Sequence, residues 1–154
     1  MNKIHIIAVG ALKEQSLLHL VMDYQKRISP YAWLKVQEVK AVSFSEATKK
    51  QAKQQEKEAL LKVLHSYEKE QIYFLTEKGS LFNSEKFAEF ISSHDGRDLV
   101  FVIGGSLGFE EDFLQNYQSL SLSALTFPHE LARVILLEQL YRAFTINQGK
   151  NYHY

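Results

Sequence analysis

Residues 99 to 103, Leu99-Val100-Phe101-Val102-Ile103, are apolar at every position and run straight into Gly104-Gly105. A strand with no polar alternation has no wet face, so it belongs in a sheet covered on both sides. Ile4 to Val9, Leu34 to Val39 and Gln71 to Leu75 read as three earlier strands, the first stopping at Gly10 and the third ending near Gly79. Between them, apolar residues fall at helical spacing. Leu17, Val21, Tyr24 and Ile28 make one stripe; Leu60, Val63, Leu64 and Tyr67 make another on a long helix opened by Ser45-Glu46. Asn83-Ser84-Glu85 opens a short helix through Ile91, and His94-Asp95-Gly96 is a turn. Gly108 to Tyr117 reads as a short helix, Ser119 to Ser123 as a brief strand, and Pro128 stands near the start of the last helix, where proline is tolerated. Strands alternating with helices predict an α/β fold, a parallel sheet flanked by helices.

The 154 residues predict a single domain spanning 1–154, a size that buries roughly 68–70% of its unfolded surface. With no cysteine, disulfides, thiolate metal sites and cysteine nucleophiles are excluded. The first apolar run is too short for a membrane span and lacks a small-residue cleavage site, so the expectation is a cytoplasmic protein with no membrane partner. Eighteen basic and eighteen acidic side chains give zero net charge. Phosphate neutralisation alone therefore does not hold nucleic acid here, and RNA binding must rest on local patches, shape or a partner subunit. Lys49, Lys50, Lys53 and Lys57 read as the solvated face of the long helix.

Two turns carry the functional signal. Gly104-Gly105-Ser106-Leu107-Gly108 lets a backbone approach a ligand closely. It matches neither the dinucleotide fingerprint, since Leu125 stands near where the acidic residue should be, nor the phosphate-binding loop. Glu110, Glu111 and Asp112 just beyond would repel a phosphate, which favours a nucleoside without phosphates. Leu122 to Phe127 offers peptide donors and acceptors between apolar side chains, with Ser123 and Thr126 reading as exposed, which suits an adenine ring. An ordinary tight turn and a plain strand-to-helix connection account for the same residues. The six histidines show no metal-ligand spacing, and no metal is expected. On the last helix Glu138 and Arg142, four apart, can pair on one face, with Arg133 roughly opposite. Leu131, Val134, Ile135, Leu137, Leu140, Tyr141 and Phe144 give that helix apolar cover for a core and a partner subunit. The tail carries Tyr152, His153 and Tyr154, and aromatic rings are what stack on unpaired RNA bases.

Taken in order, Ala8-Val9-Gly10, Leu12-Lys13-Glu14, Tyr24-Gln25-Lys26-Arg27, Pro30-Tyr31, Phe101 to Gly108, Leu125 to His129, Glu138 to Ala143 and Tyr152-His153 resemble the RlmH family of SPOUT-class RNA methyltransferases. The resemblance covers essentially the whole chain. It implies a parallel α/β sheet with a C-terminal trefoil knot, a homodimer, and S-adenosylmethionine as methyl donor. It further implies methylation of ring nitrogen N3 of a pseudouridine in helix 69 of 23S ribosomal RNA on assembled ribosomes. Carried over by position, the cofactor site is Leu75, Gly104, Leu122, Ser123, Ala124, Leu125, Thr126 and Phe127, and the catalytic, RNA-facing end is Arg142, Tyr152 and His153. The tail departs from the family pattern. Gln148-Gly149-Lys150 stands where members often carry Arg-Gly-Glu, and Tyr154 follows the Tyr-His pair where they carry Lys or Arg.

Within that reading His153 is the candidate base, Arg142 the group for an anionic carbonyl or phosphate, and Tyr152 the stacking ring. Zero net charge predicts a preference for intact ribosomes over free RNA. Two other classes stay open from the residues alone: a catalytically inactive ribosome-associated factor that binds S-adenosylmethionine, and a flavodoxin-like nucleotide module.

Overall fold

The computed structural model describes residues 1–152. Five strands form one all-parallel sheet in the order β2-β1-β4-β3-β5: β1 Asn2–Val9, β2 Ala32–Val39, β3 Ile72–Leu81, β4 Asp98–Ile103 and β5 Gln118–Ser121. The helices are α1 Gln15–Ile28, α2 Lys49–Leu64, α3 Ser84–Ser93, α4 Glu111–Asn116 and α5 His129–Asn147. Among the described residues no helix is long and apolar enough to cross a membrane.

Successive residues of β4 point to opposite faces. Leu99, Phe101 and Ile103 join Ile4, Ile6 and Ala8 in a core closed by α1, α3 and α5. Val100 and Val102 join Ile7, Val9, Ile72 and Phe74 in a smaller core under α2 and α4, filled by Leu60, Leu64 and Phe113. The all-apolar central strands thus follow from having helices on both sides.

Boundaries moved where local chemistry overrode periodicity. α2 starts at Lys49 rather than Ser45, because Ser45 and Thr48 tie a turn between them: the Ser45 N–H donates to Thr48 Oγ1 at 2.9 Å. α4 occupies only Glu111–Asn116, preceded by a turn closed by Gly108 N–H to Gly105 O at 3.0 Å. Gly108 takes a φ of +70°, the left-handed region that favours glycine.

β3 shows the largest departure. It pairs with β5 through Leu75, releases Thr76 to Gly79, and pairs again at Ser80 and Leu81. Where the chain returns, Gly79 lies flat against the backbone of Leu120; a Cβ there would sit 2.6 Å from its N and C atoms. No other residue type fits that crossing.

Candidate functional site

Three segments meet above the carboxyl ends of β4 and β5: the looped-out stretch of β3 after Leu75, the turn Gly104 to Phe109, and residues 122 to 128 leading into α5. The crevice between them has two lobes sharing Leu75, Thr76, Glu77, Thr126, Phe127 and Ala132. The narrow lobe adds Leu122, Ser123 and Leu125. The wide lobe, about 570 Å³, adds Lys53, Lys78, the Gly104–Phe109 turn and His129. A volume of this order suits a small molecule.

The loop after β5 is built by its serines. Buried Ser121 donates its hydroxyl to the Ser123 carbonyl at 2.7 Å, and Ser123 Oγ accepts the Leu125 N–H at 3.1 Å. This fold-back leaves Leu125 in water, 73% exposed, at the lip of the narrow lobe. Thr126 is exposed as expected, whereas Ser123 is half-buried.

Of the residues expected to hold a cofactor, Leu75, Leu122, Ser123, Leu125, Thr126 and Phe127 meet in the narrow lobe, and Gly104 lines the wide one. Ala124 is exposed on the same loop and lines neither. Asp112 in the first turn of α4 is not bare, as expected, but hydrogen-bonded to Lys57 of α2. That hydrogen bond holds its carboxyl below the usual carboxylate range.

Arg142 and Tyr152 form a separate cluster. Arg142 donates from Nε and Nη2 to Glu138 Oε1 at 3.0 and 2.7 Å, and from Nη1 to the Tyr152 carbonyl at 3.2 Å. Its guanidinium lies 5.1 Å from the centre of the Tyr152 ring, which packs edge-on against Tyr141 at 4.8 Å. The tail is tied down around Gly149, with Lys150 N–H on the Thr145 carbonyl at 2.9 Å and Lys150 Nζ on the Tyr31 hydroxyl at 2.7 Å. Burial pushes the Tyr152 hydroxyl up from its ordinary value, helped by the nearby Tyr24 hydroxyl, so it stays protonated at neutral pH. His153 lies outside the described residues. Neither Arg142 nor Tyr152 lines the crevice of its own chain. Arg142 stands ten residues beyond Ala132, the crevice residue furthest along α5, about 15 Å along the axis at 1.5 Å per residue.

On α5, Glu130 and the contacts of Arg133 escaped the sequence reading. Glu130 accepts the backbone N–H groups of Lys13 and Glu14, which lowers its carboxyl's pKa. Arg133 is 1% exposed; it donates to the Gly10 carbonyl at 2.9 Å, and Nη1 lies 3.5 Å from Glu38. Together they fix the loop leaving β1 against the start of α5. The available signal was a charge set among buried Val134, Leu136, Leu137 and Leu140 on the inward face of that helix.

Residues 2–153 match the family model described as predicted SPOUT methyltransferase. The ribosomal RNA large subunit methyltransferase H of Kosmotoga olearia is 41% identical over 155 residues, covering 98% of this chain and 99% of its own. Its counterpart in Symbiobacterium thermophilum is 39% identical over 159 residues, with 98% and 99% covered. Among solved structures, TrmJ from Z. mobilis superposes with a TM-score of 0.56 at 10% identity, covering 94% of this chain and 70% of that one, a likeness of fold.

Proposed function

Since the chain belongs to the SPOUT methyltransferase family and, within it, to the ribosomal RNA large subunit methyltransferase H group, we propose that it methylates large-subunit ribosomal RNA with S-adenosylmethionine. The target in this reading is N3 of a pseudouridine in helix 69 of 23S RNA, on assembled ribosomes in the cytoplasm. The observation that carries it is the two-lobed crevice, whose narrow lobe sets the apolar walls Leu75, Leu122 and Phe127 beside the peptide groups of the loop after β5. Those walls and donors suit a purine, and the wide lobe has room for the rest of the donor.

Leu75, Gly104, Leu122, Ser123, Leu125, Thr126 and Phe127 hold the donor, with Ala124 shaping their loop. When bound, the donor supplies an electrophilic sulfonium methyl. The pyrimidine N–H is weakly acidic, so the chain must accept its proton and steady the resulting anion. His153 takes the proton, since an imidazole titrates near neutrality. Arg142, already positioned by Glu138, faces the developing negative charge. Tyr152, protonated at neutral pH, stacks on or donates to the base.

Because Arg142 stands about 15 Å along α5 from the crevice, the reading needs a second copy of the chain to present them together. Large apolar side chains are left exposed for such a partner: Leu81 (60% exposed), Phe82 (38%) and, at the lip of the narrow lobe, Leu125. The crossing of Gly79 over Leu120 supports the trefoil knot that goes with the family's fold.

The test is to incubate the purified protein with methyl-labelled S-adenosylmethionine and unmethylated, pseudouridylated ribosomes, then map the label by nuclease digestion and mass spectrometry. Label on the helix 69 pseudouridine is the expected result. Binding of the donor without transfer would instead identify an inactive ribosome-associated factor.

A further inference from the structure

The lysines of α2 do not all face water. Lys49 and Lys50 are exposed, while Lys53 and Lys57, one turn apart, are half-buried and point toward the site side of the helix. Lys57 is spent on Asp112. Lys53 lines the wide lobe together with the Gly104–Phe109 turn, and among the described residues its ammonium makes no hydrogen bond or ion pair. Its position is fixed, because Ala52 and Glu56 on either side of it along the helix are buried. Glu56 Oε2 also accepts the Val42 N–H at 2.8 Å, tethering α2 to the segment that follows β2. The crevice therefore carries a held cation without a counter-ion.

We propose that Lys53 binds the carboxylate of the amino-acid arm of the methyl donor. The proposal rests on the reading that the crevice takes S-adenosylmethionine. A nucleoside with its base in the narrow lobe must send its other end into the wide lobe, since the two share Leu75, Thr76, Glu77, Thr126 and Phe127. The arm at that end carries one carboxylate and one ammonium. The wide lobe presents Lys53 to the first and Glu77 to the second; its other lysine, Lys78, is exposed on the looped-out segment rather than withdrawn into the wall. A phosphate of the RNA is the competing anion. It arrives from bulk water, where Lys49 and Lys50 stand exposed on the same helix, whereas Lys53 is withdrawn into the crevice wall. The Lys57–Asp112 pair occupies the neighbouring lysine of the helix, so Lys57 is not available to the same carboxylate.

The experiment compares two nucleosides by titration calorimetry on the full chain. S-adenosylhomocysteine keeps the amino-acid arm, and 5′-methylthioadenosine lacks it. Lys53→Gln should weaken S-adenosylhomocysteine about 10- to 100-fold, the range of a charge-assisted hydrogen bond, and leave methylthioadenosine within about twofold. Lys53→Arg should restore most of the lost affinity. Unchanged S-adenosylhomocysteine binding in Lys53→Gln overturns the assignment, and a raised ribosome KM beside it would give the lysine to an RNA phosphate. Equal loss of both nucleosides also overturns it, since the arm would then not be what the lysine recognises. Wild-type protein that binds neither nucleoside would overturn the donor reading itself, a failure visible before any variant is made.

Discussion

Arg142 and Tyr152 hold each other through a hydrogen bond and a face-on cation contact, and Glu138 holds them both in place. The Glu138–Arg142 ion pair is partly exposed and contributes about 1 kcal/mol or less to stability. Arg142→Ala should therefore cut ribosome methylation at least about 100-fold, in line with loss of a charge-stabilising donor, with only a small change in the unfolding midpoint. Tyr152→Phe keeps the ring and should remain active, whereas Tyr152→Ala should lose about 5- to 150-fold, the 1–3 kcal/mol of one stacked base. Single-turnover assays on ribosomes read both. Glu130 gives a prediction in pH. Its folded-state pKa lies below the ordinary 4.5, so the unfolded chain takes up that proton first as pH falls. The stabilisation is complete above about 4.5 and drains as pH drops through the folded value, as does that of Asp112 with Lys57. In urea unfolding from pH 7 to 3, Glu130→Gln should start less stable than wild type and converge with it at the acid end. At this scale the sequence made Glu138–Arg142 legible because both lie four apart on one helix. Arg133 was not, because its partners Gly10 and Glu38 are brought to it only by the sheet.

Among the elements, every strand and helix that sequence periodicity placed is present, since apolar runs and stripes are local properties. The return of β3 to β5 was not legible: it depends on Gly79 meeting Leu120, forty-one positions away. Gly79→Ala puts a methyl into a backbone that cannot move aside, and should cost about 3 kcal/mol, the upper end of overpacking. Denaturant midpoints check this, and a neutral result would mean the crossing is looser than its 2.6 Å approach implies. The crevice lining was legible for a related reason: Leu122 to Phe127 is contiguous. Lys53, arriving from a helix half the chain away, read as part of a solvated face.

Across the whole molecule, the distance between crevice and Arg142 turns the dimer into a test. A crevice variant, Thr126→Arg, and a tail variant, Arg142→Ala, should each be inactive alone. Mixed and allowed to exchange, they should regain methylation, because a heterodimer carries one intact crevice facing one intact tail. No recovery, with exchange verified by mass spectrometry, would place the whole site in one chain. The unequal cover on the two faces of the sheet has its own consequence. The core under α2 and α4 is the smaller, and local opening draws on the face with least buried apolar surface. That face also forms the Lys53 and Phe109 wall of the crevice. Backbone amides of α2 and α4 should exchange with solvent faster than those of β1 and β4, and S-adenosylhomocysteine should slow the former while leaving the latter unchanged. The thin side then breathes until a ligand arrives, so the donor would act as the last structural part of that face.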